Sequence, residues 1–552
     1  MNPLLAFILS MAITIALIPV LMRLAGRMKV LDQPGARKVH GTAIPRVGGI
    51  AMVIGTYVPL LMSMDVNRQT GAYLVAAAVI FLFGVWDDRR QLSPVAKILG
   101  QLVAVFIVIY AGDIRISHIT LMERIPLPEF LSLPLTVFFL LGATNAINLA
   151  DGLDGLAGGT TMLCCAAIFL LAWAVGLNEV ATIALVLCGS ILGFLRFNTH
   201  PARVFMGDGG SQFLGFSVAV LSITLTQSSG VVYATALPVL LLGLPIVDTL
   251  TVMLQRLREG RSPFIADQKH LHHKLLGLGF DHHEAVVIIY AVQALFFLAA
   301  WFTRFASDTL VLGIFALLAG GVVTAMMVAG RMGWRWRGVT PHAAAQNAWS
   351  TSRLARAIGW LSSPDRLPRW MLIAASACVI GYLLSVAGLA KPPDAQIRWF
   401  ALALGAVALV GTIMERLIPD FEWLMRATLY MAVTLAVYLD FLTPATSGPL
   451  LFAKWMFLPL LVIAVGMSMR LSPERRFTIT TLDVLLIFIV ITLPNLPGLS
   501  SSPAHLGISL GKLVALVYGI ELCASRSRKA PPALAAGVVL FSAVILLRSA
   551  LG

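Results

Sequence analysis

The chain has 552 residues, of which 59% are hydrophobic and 12% charged, about half the charged share of an ordinary soluble domain. Such a composition excludes a soluble globular enzyme and points to a polytopic membrane protein built from helices. The net charge of +14 belongs to loops that mark membrane topology and does not call for a nucleic-acid partner.

The first apolar run, MNPLLAFILSMAITIALIPVLM, has no basic residue ahead of it and no small-residue cleavage site, so a retained span is expected rather than a removed signal peptide. Apolar stretches long enough to cross a hydrocarbon layer then follow at about 3–22, 47–64, 71–86, 94–111, 131–147, 160–177, 179–195, 211–227, 231–254, 284–303 and 308–330. A basic, mixed segment interrupts them at 334–369. About seven more follow at 370–390, 399–415, 425–442, 449–469, 478–494, 505–523 and 531–549. The expected fold is therefore all-α and polytopic, with eleven spans in residues 1–333, a cytoplasmic linker at 334–369 and a second membrane module at 370–552. With the N-terminus outside, the large majority of lysines and arginines fall on the inner side. The five cysteines lie in or beside apolar spans and read as small core residues.

That orientation brings five polar stretches to the inner face. They are LDQPGARKVHGTAIPRVGG (31–49), GVWDDRRQLSP (84–94), NAINLADGLDGLAGG (145–159), RFNTHPARVFMGDGGS (196–211) and REGRSPFIADQKHLHHKLLGLGF (258–280). Among the histidines only His118 and His505 fall outward. A carboxylate at the centre of a membrane helix costs about 2.5–3.5 kcal/mol, and a single one at a span end is ordinarily a solvated terminus. Asp87, Asp88, Asp151, Asp154 and Asp208 converge on one face, with glycines beside three of them. Like charges so grouped repel unless a cation joins them, and oxygen ligands suit Mg²⁺ with a substrate phosphate. Arg37, Lys38, His40, Arg196, Arg203, Arg261, Lys269, His270, His272 and His273 supply the complementary charge. Singly each basic residue is explained as a topology marker, and HLHH alone also suits zinc. The carboxylates and the lack of a cysteine on that face favour a hard cation. Asn148, Asp151 and Asp154 recur every three residues and share one face if their stretch is helical.

Taken in order, these motifs resemble the polyprenyl-phosphate N-acetylhexosamine-1-phosphate transferases, glycosyltransferase family 4, over about residues 1–333. The DD pair, NAIN-xxDGLDGLAGG, MGDGGS and HLHH carry the resemblance together. SPFIADQKHLHH differs from the three consecutive histidines of the MurNAc-pentapeptide enzymes and is closest to the bacterial branch that uses UDP-GlcNAc and undecaprenyl phosphate.

The resemblance implies transfer of GlcNAc-1-phosphate from UDP-GlcNAc to the lipid phosphate, with release of UMP, in a bacterial inner membrane with the site facing the cytoplasm. The product would begin O-antigen, a related surface antigen or exopolysaccharide. It further implies Mg²⁺ (or Mn²⁺) on Asp208 with Asn148 as a second contact, and Asp87 as base or orienting group with Asp88 beside it. Asp151 and Asp154 would lie at the nucleotide-sugar, as would Lys38 and His40, and Arg203 would contact substrate. His270, His272 and His273 would meet the diphosphate, with Asp248 behind them. Another UDP-N-acetylhexosamine or UDP-MurNAc-pentapeptide are alternatives of the same chemistry, and a flippase for lipid-linked sugars is the alternative of another class. A homodimer or a downstream glycosyltransferase are the protein partners expected. Residues 370–552 carry scattered acidic residues and no recognised motif.

Overall fold

The computed structural model describes residues 3–28, 30–32, 43–90, 92–121, 123–262 and 270–332, and beyond these much of 367–443, 456–464, Thr481, Leu485 and much of 509–551. Two compact units result: Met1–Gly338 with Thr480–Leu485, and Val339–Ile479 with Leu486–Gly552. The expected linker at 334–369 lies almost wholly outside the described residues, as do Lys38, His40, most of the spans expected at 449–469 and 478–494, and part of that expected at 505–523.

The first unit is a helical bundle in which every span expected from hydropathy has a helix. In order these are α1 (Pro3–Met28), α2 (Gly48–Ser63), α3 (Arg68–Arg90), α4 (Pro94–Phe106, continued by a π-helical turn to Ala111), α5 (Glu129–Leu149), α6 (Leu156–Ala174), α7 (Asn178–Asn198), α8 (Gly207–Gln227), α9 (Leu237–Leu241), α10 (Gly243–Arg258), α11 (Leu271–Gly277), α12 (His282–Thr303) and α13 (Asp308–Arg331). Twelve described helices in the whole chain are long and apolar enough to cross a membrane, so the protein is an all-α polytopic membrane protein. Two short antiparallel pairs are the only strands among the described residues: β1 (Leu31–Asp32) with β2 (Ile44–Pro45), and β3 (His118–Thr120) with β4 (Arg124–Pro126). β1 and β2 flank, in sequence, the segment that contains Lys38 and His40.

One expectation needs correction. The span expected at 231–254 is broken at Leu242 into α9 and α10. A broken helix inside a membrane leaves backbone groups that lipid cannot satisfy. Here Gln293 of α12 takes them up: its Oε1 accepts from Leu244 N–H at 3.1 Å and its Nε2 donates to Leu241 O at 2.9 Å.

The buried centre of the unit is α8, almost wholly enclosed, packed by α3, α5, α2 and α6. Helices in lipid gain little from hydrophobic burial against each other, so close backbone approach through small residues holds them. A Cβ on Gly84 of α3 would stand 2.4 Å from Gly209 Cα, and one on Gly49 of α2 would stand 2.6 Å from Gly210 Cα. The segment 480–485 adds Thr481 to this unit, buried beside Tyr290.

In the second unit the described helices include Leu367–Leu389, Ala395–Leu417, Glu422–Leu442, Gly511–Ile520 and Ala530–Leu551. The sequence leaves Asp440 as one of several scattered acids. The fold pairs it with Lys512 at 2.5 Å, and Tyr382 O–H donates to it at 3.0 Å. A carboxylate buried within membrane helices requires such partners.

Gly84→Ala is predicted to push α3 off α8, because backbone and not a flexible side chain meets the new methyl. Overpacking of this kind costs about 1–3 kcal/mol. Thermal unfolding of purified protein should show a clear loss, whereas Gly142→Ala, with nothing within 4 Å of the added Cβ, should melt like the parent.

Candidate active site

α8 begins with its free backbone N–H groups aimed at the end of α3. Asp88, in the last turn of α3, accepts from Asp208 N–H at 3.0 Å and from Gly209 N–H at 3.2 Å. These are first-turn amides with no partner inside their own helix, and a carboxylate there also meets the positive end of the helix dipole. The approach requires Gly207, whose φ is 71° and whose added Cβ would stand 2.5 Å from Asp88 Oδ2. Arg46 completes the arrangement, contacting Asp88 Oδ1 at 3.4 Å and pairing with the buried Asp32.

Asp208 itself sits on the first turn of α8, and its side chain is 36% exposed. Lys97, one turn into α4, bridges it to Asp87: the ammonium pairs with Asp87 Oδ2 and lies 3.3 Å from Asp208 Oδ2. Leu92 N–H donates to Asp87 Oδ1 at 2.7 Å. Asn148, in the last turn of α5, donates to Asp208 Oδ1 at 3.4 Å and to Ser211 Oγ at 2.7 Å. Four residues named from sequence, Asp87, Asp88, Asn148 and Asp208, thus form one hydrogen-bonded group.

The helical-face argument for Asn148, Asp151 and Asp154 fails. α5 stops at Leu149 and α6 starts at Leu156, so both aspartates lie in the connecting turn. Gly155 within DGLDG stands at the N-cap of α6 with a positive φ of 81°. The turn is pinned from outside instead. Asn198 Oδ1 accepts from Gly155 N–H at 2.9 Å while its Nδ2 donates to Val204 O at 2.9 Å, and Tyr290 O–H donates to Gly155 O at 2.6 Å. Asp151 remains exposed at the edge. The protein crowding around it, then the charge of Asp208, push its carboxyl up to about 7. Burial alone would raise Asp154 too, but the His200 side chain and Ala202 N–H outweigh it and hold Asp154 below the usual carboxylate range.

The HLHH residues close the other side. Asp248 of α10 accepts from Leu271 N–H at 2.7 Å and pairs with His270 Nδ1 at 2.9 Å. His272 is buried against the DGLDG turn, so that a Cβ on Gly152 would stand 2.3 Å from its Nε2. Burial first, then neighbouring His273, push His272 down to about 3, which keeps its ring neutral at physiological pH. Its Nε2 is buried without a hydrogen-bond partner. The His273 ring lies 4.2 Å from that of His272. Arg203 is exposed in the loop before α8, with its backbone N–H on Phe197 O. An apolar cleft lined by Leu156, Leu244, Leu271 and Ile289 leads up to His272 and Asp248.

Sequence reasoning passed over Lys97, Arg46, Asn198 and Tyr290. Lys97 had a readable signal, as the one charge inside the apolar run from Pro94 to Ala111, and an ionisable residue within a span marks function. The others contact the site through folding alone.

Removing the Asp88 carboxylate leaves two helix amides without their acceptor and Arg46 with Asp32 alone. Asp88→Ala is therefore predicted to cost about 1–3 kcal/mol, seen as a lower melting temperature in detergent. Asp151→Asn removes only an exposed, crowded charge and should not lower it.

A family model described as glycosyl transferase family 4 matches residues 71–226, the stretch holding Asp87, Lys97, Asn148 and Asp208. A probable undecaprenyl-phosphate N-acetylglucosaminyl 1-phosphate transferase of Bacillus subtilis is 36% identical over 57% of this chain and 88% of its own length. A decaprenyl-phosphate N-acetylglucosaminephosphotransferase of Mycobacterium leprae is 36% identical over 48% of this chain and 75% of its own. The undecaprenyl-phosphate alpha-N-acetylglucosaminyl 1-phosphate transferase of Escherichia coli K12 is 30% identical over 50% of this chain and 76% of its own. With its motifs gathered at one end of the bundle and these relatives covered over most of their length, the chain belongs to glycosyl transferase family 4, in the bacterial branch that they represent.

Proposed function

We propose that the protein transfers N-acetylglucosamine-1-phosphate from UDP-GlcNAc to a polyprenyl phosphate, undecaprenyl phosphate above all, releasing UMP. The observation that carries this reading is the group Asp87–Lys97–Asp208–Asn148 at the helix ends, beside an apolar cleft. A phosphate oxygen of the lipid attacks the phosphorus that bears the sugar, and the bond from that phosphorus to the UMP oxygen breaks. One diphosphate replaces another, so the equilibrium lies near unity and excess UMP drives the reverse reaction. Positioning of two anions and neutralisation of their charge make up most of the catalysis.

Each residue has a place in this scheme. Asp208, with Asn148 beside it, offers the oxygen ligands that a hard divalent cation prefers, and two carboxylates sharing one ammonium leave negative charge for it to meet. Mg²⁺, or Mn²⁺ in its place, supplies charge neutralisation at the diphosphate when bound. Lys97 holds Asp87 and Asp208 together and faces the same phosphates. Asp87 orients the lipid phosphate and accepts its proton where one is present. Asp88 is a positioning residue that fixes the first turn of α8. His270, oriented by Asp248, and the neutral His272 donate to the diphosphate with His273 at the rim. Asp151, Asp154, Arg203, Lys38 and His40 face the nucleotide-sugar. The site opens to the cytoplasm of a bacterial inner membrane, where UDP-sugars are made, and the product starts a lipid-linked surface polysaccharide.

Purified protein with polyprenyl phosphate, Mg²⁺ and a panel of labelled UDP-sugars should release UMP fastest from UDP-GlcNAc. A flippase for lipid-linked sugars would release none. Asp208→Asn should keep its melting temperature and lose two to three orders of magnitude in turnover, the usual loss when a charge-stabilising group is removed. Near-normal turnover at saturating Mg²⁺ would refute the assignment.

Residues 1–333 are proposed as the transferase, 334–369 as a basic cytoplasmic linker and 370–552 as a module with another role, such as dimerisation or docking of the next glycosyltransferase. Ending the chain near Gly338 keeps every residue named above and removes Thr481 from beside Tyr290. UMP release should persist with lower thermal stability. A folded, monodisperse truncation without activity would show that the later residues complete the site.

A further inference from the structure

A second cluster of metal-binding groups lies outside the Asp87–Asp208 group. Asp154, His200 and His282 each offer one ligand atom, all within 4.8 Å of one another. His200 Nδ1 is 2.7 Å from Asp154 Oδ2, and His282 Nε2 is 3.2 Å from Asp154 O. The two imidazole rings stack at 4.1 Å between centroids. A third imidazole, His283, stands edge-on to His200 at 5.2 Å, and its Nδ1 is buried without a hydrogen-bond partner.

The three donors come from separate segments. Asp154 is in the DGLDG turn, His200 follows α7, and His282 opens α12. All three segments are already tied together, by Asn198 joining Gly155 to Val204 and by Tyr290 joining α12 to Gly155 O. The donors are thus held near one another before any ion arrives, which lowers the ordering cost of binding. Stacked imidazoles cannot both carry charge cheaply, and neutral imidazole is the form that ligates a metal. Two imidazoles and one carboxylate are the protein ligands of open zinc sites and of related transition-metal sites, and differ from the oxygen set that suits Mg²⁺.

We propose that Asp154, His200 and His282 bind a divalent transition-metal ion of the zinc class, leaving one position open to water or a ligand. The ion would staple the DGLDG turn, the loop before α8 and the start of α12 to one another, setting the rigidity of the nucleotide side of the cleft. This site is separate from the hard-cation position at Asp208, and its test needs no turnover.

The experiment uses tag-free, metal-stripped full-length protein and Co²⁺ as the optical probe. Titration should give about one Co²⁺ per chain with the intense visible bands of a four-coordinate site, and Zn²⁺ should displace it. His200→Gln and His282→Gln should each weaken uptake by at least about ten-fold, while His273→Gln and Asp208→Asn should leave it unchanged. Zn²⁺ should raise the melting temperature of the parent and of those two controls, and not that of the two ligand variants. X-ray absorption on the zinc-loaded parent, which needs no variant to fold, should show a nitrogen and oxygen shell containing two imidazoles. The proposal is overturned by any of four results: no such bands in the parent, bands that survive both ligand variants, bands lost in His273→Gln, or an all-oxygen shell.

Discussion

The site depends on one contact, the Asp88 carboxylate on the first amides of α8. A membrane helix must satisfy its free N–H groups at its end, and a carboxylate at a membrane end must find donors. Asp88 and α8 meet both needs in one arrangement, and Arg46 balances the charge. Because the contact fixes the first turn of α8, it also fixes the direction of Asp208. The same contact explains the glycines. Gly207 lets the backbone reach Asp88, and Gly84 against Gly209 lets α3 come close enough to deliver it.

Around this centre the structure sorts its charges by whether they are shared. Asp87 and Asp208 are joined by a single ammonium and stay close. Asp154 is committed to His200 and to a backbone amide, while the Asp151 carboxyl is raised first by the protein crowded around it and then by the charge of Asp208. Two aspartates three residues apart in one motif therefore sit in opposite electrostatic conditions. The histidines divide likewise: His270 leans on Asp248, His272 is buried and neutral, and His200 and His282 stack on each other. The histidines at this end of the bundle thus form two separate groups, one about His270 and His272 and one about His200 and His282.

The bundle also shows how irregular backbone survives within a membrane. The break between α9 and α10 persists because Gln293 supplies both a donor and an acceptor. That break lets α10 present Asp248 to His270 and shape the apolar cleft beside His272. In the second unit Asp440, Lys512 and Tyr382 follow the same rule, in which a buried charge is tolerated only where partners surround it.

The sequence by itself determined the membrane class, the spans of the first unit and four of the residues that the fold gathers around Asp208. Hydropathy over 20-residue windows and clustered carboxylates are local properties that the chain carries wherever it folds. Asp87, Asp88, Asn148 and Asp208 were all legible because a charged or amide residue at the end of an apolar run stands out. Lys97 was legible too, yet it reads equally well as a topology marker until the fold sets it between two carboxylates. Only the tertiary structure decided what each residue does to its neighbours. Whether Asp88 caps a helix, whether Asp154 pairs with His200, and whether Gln293 repairs a broken span all depend on groups 46 to 120 positions apart meeting in space. No local pattern encodes such meetings, since they arise from how the helices pack: for Asp88, from the glycine contacts that bring α3 and α2 against α8.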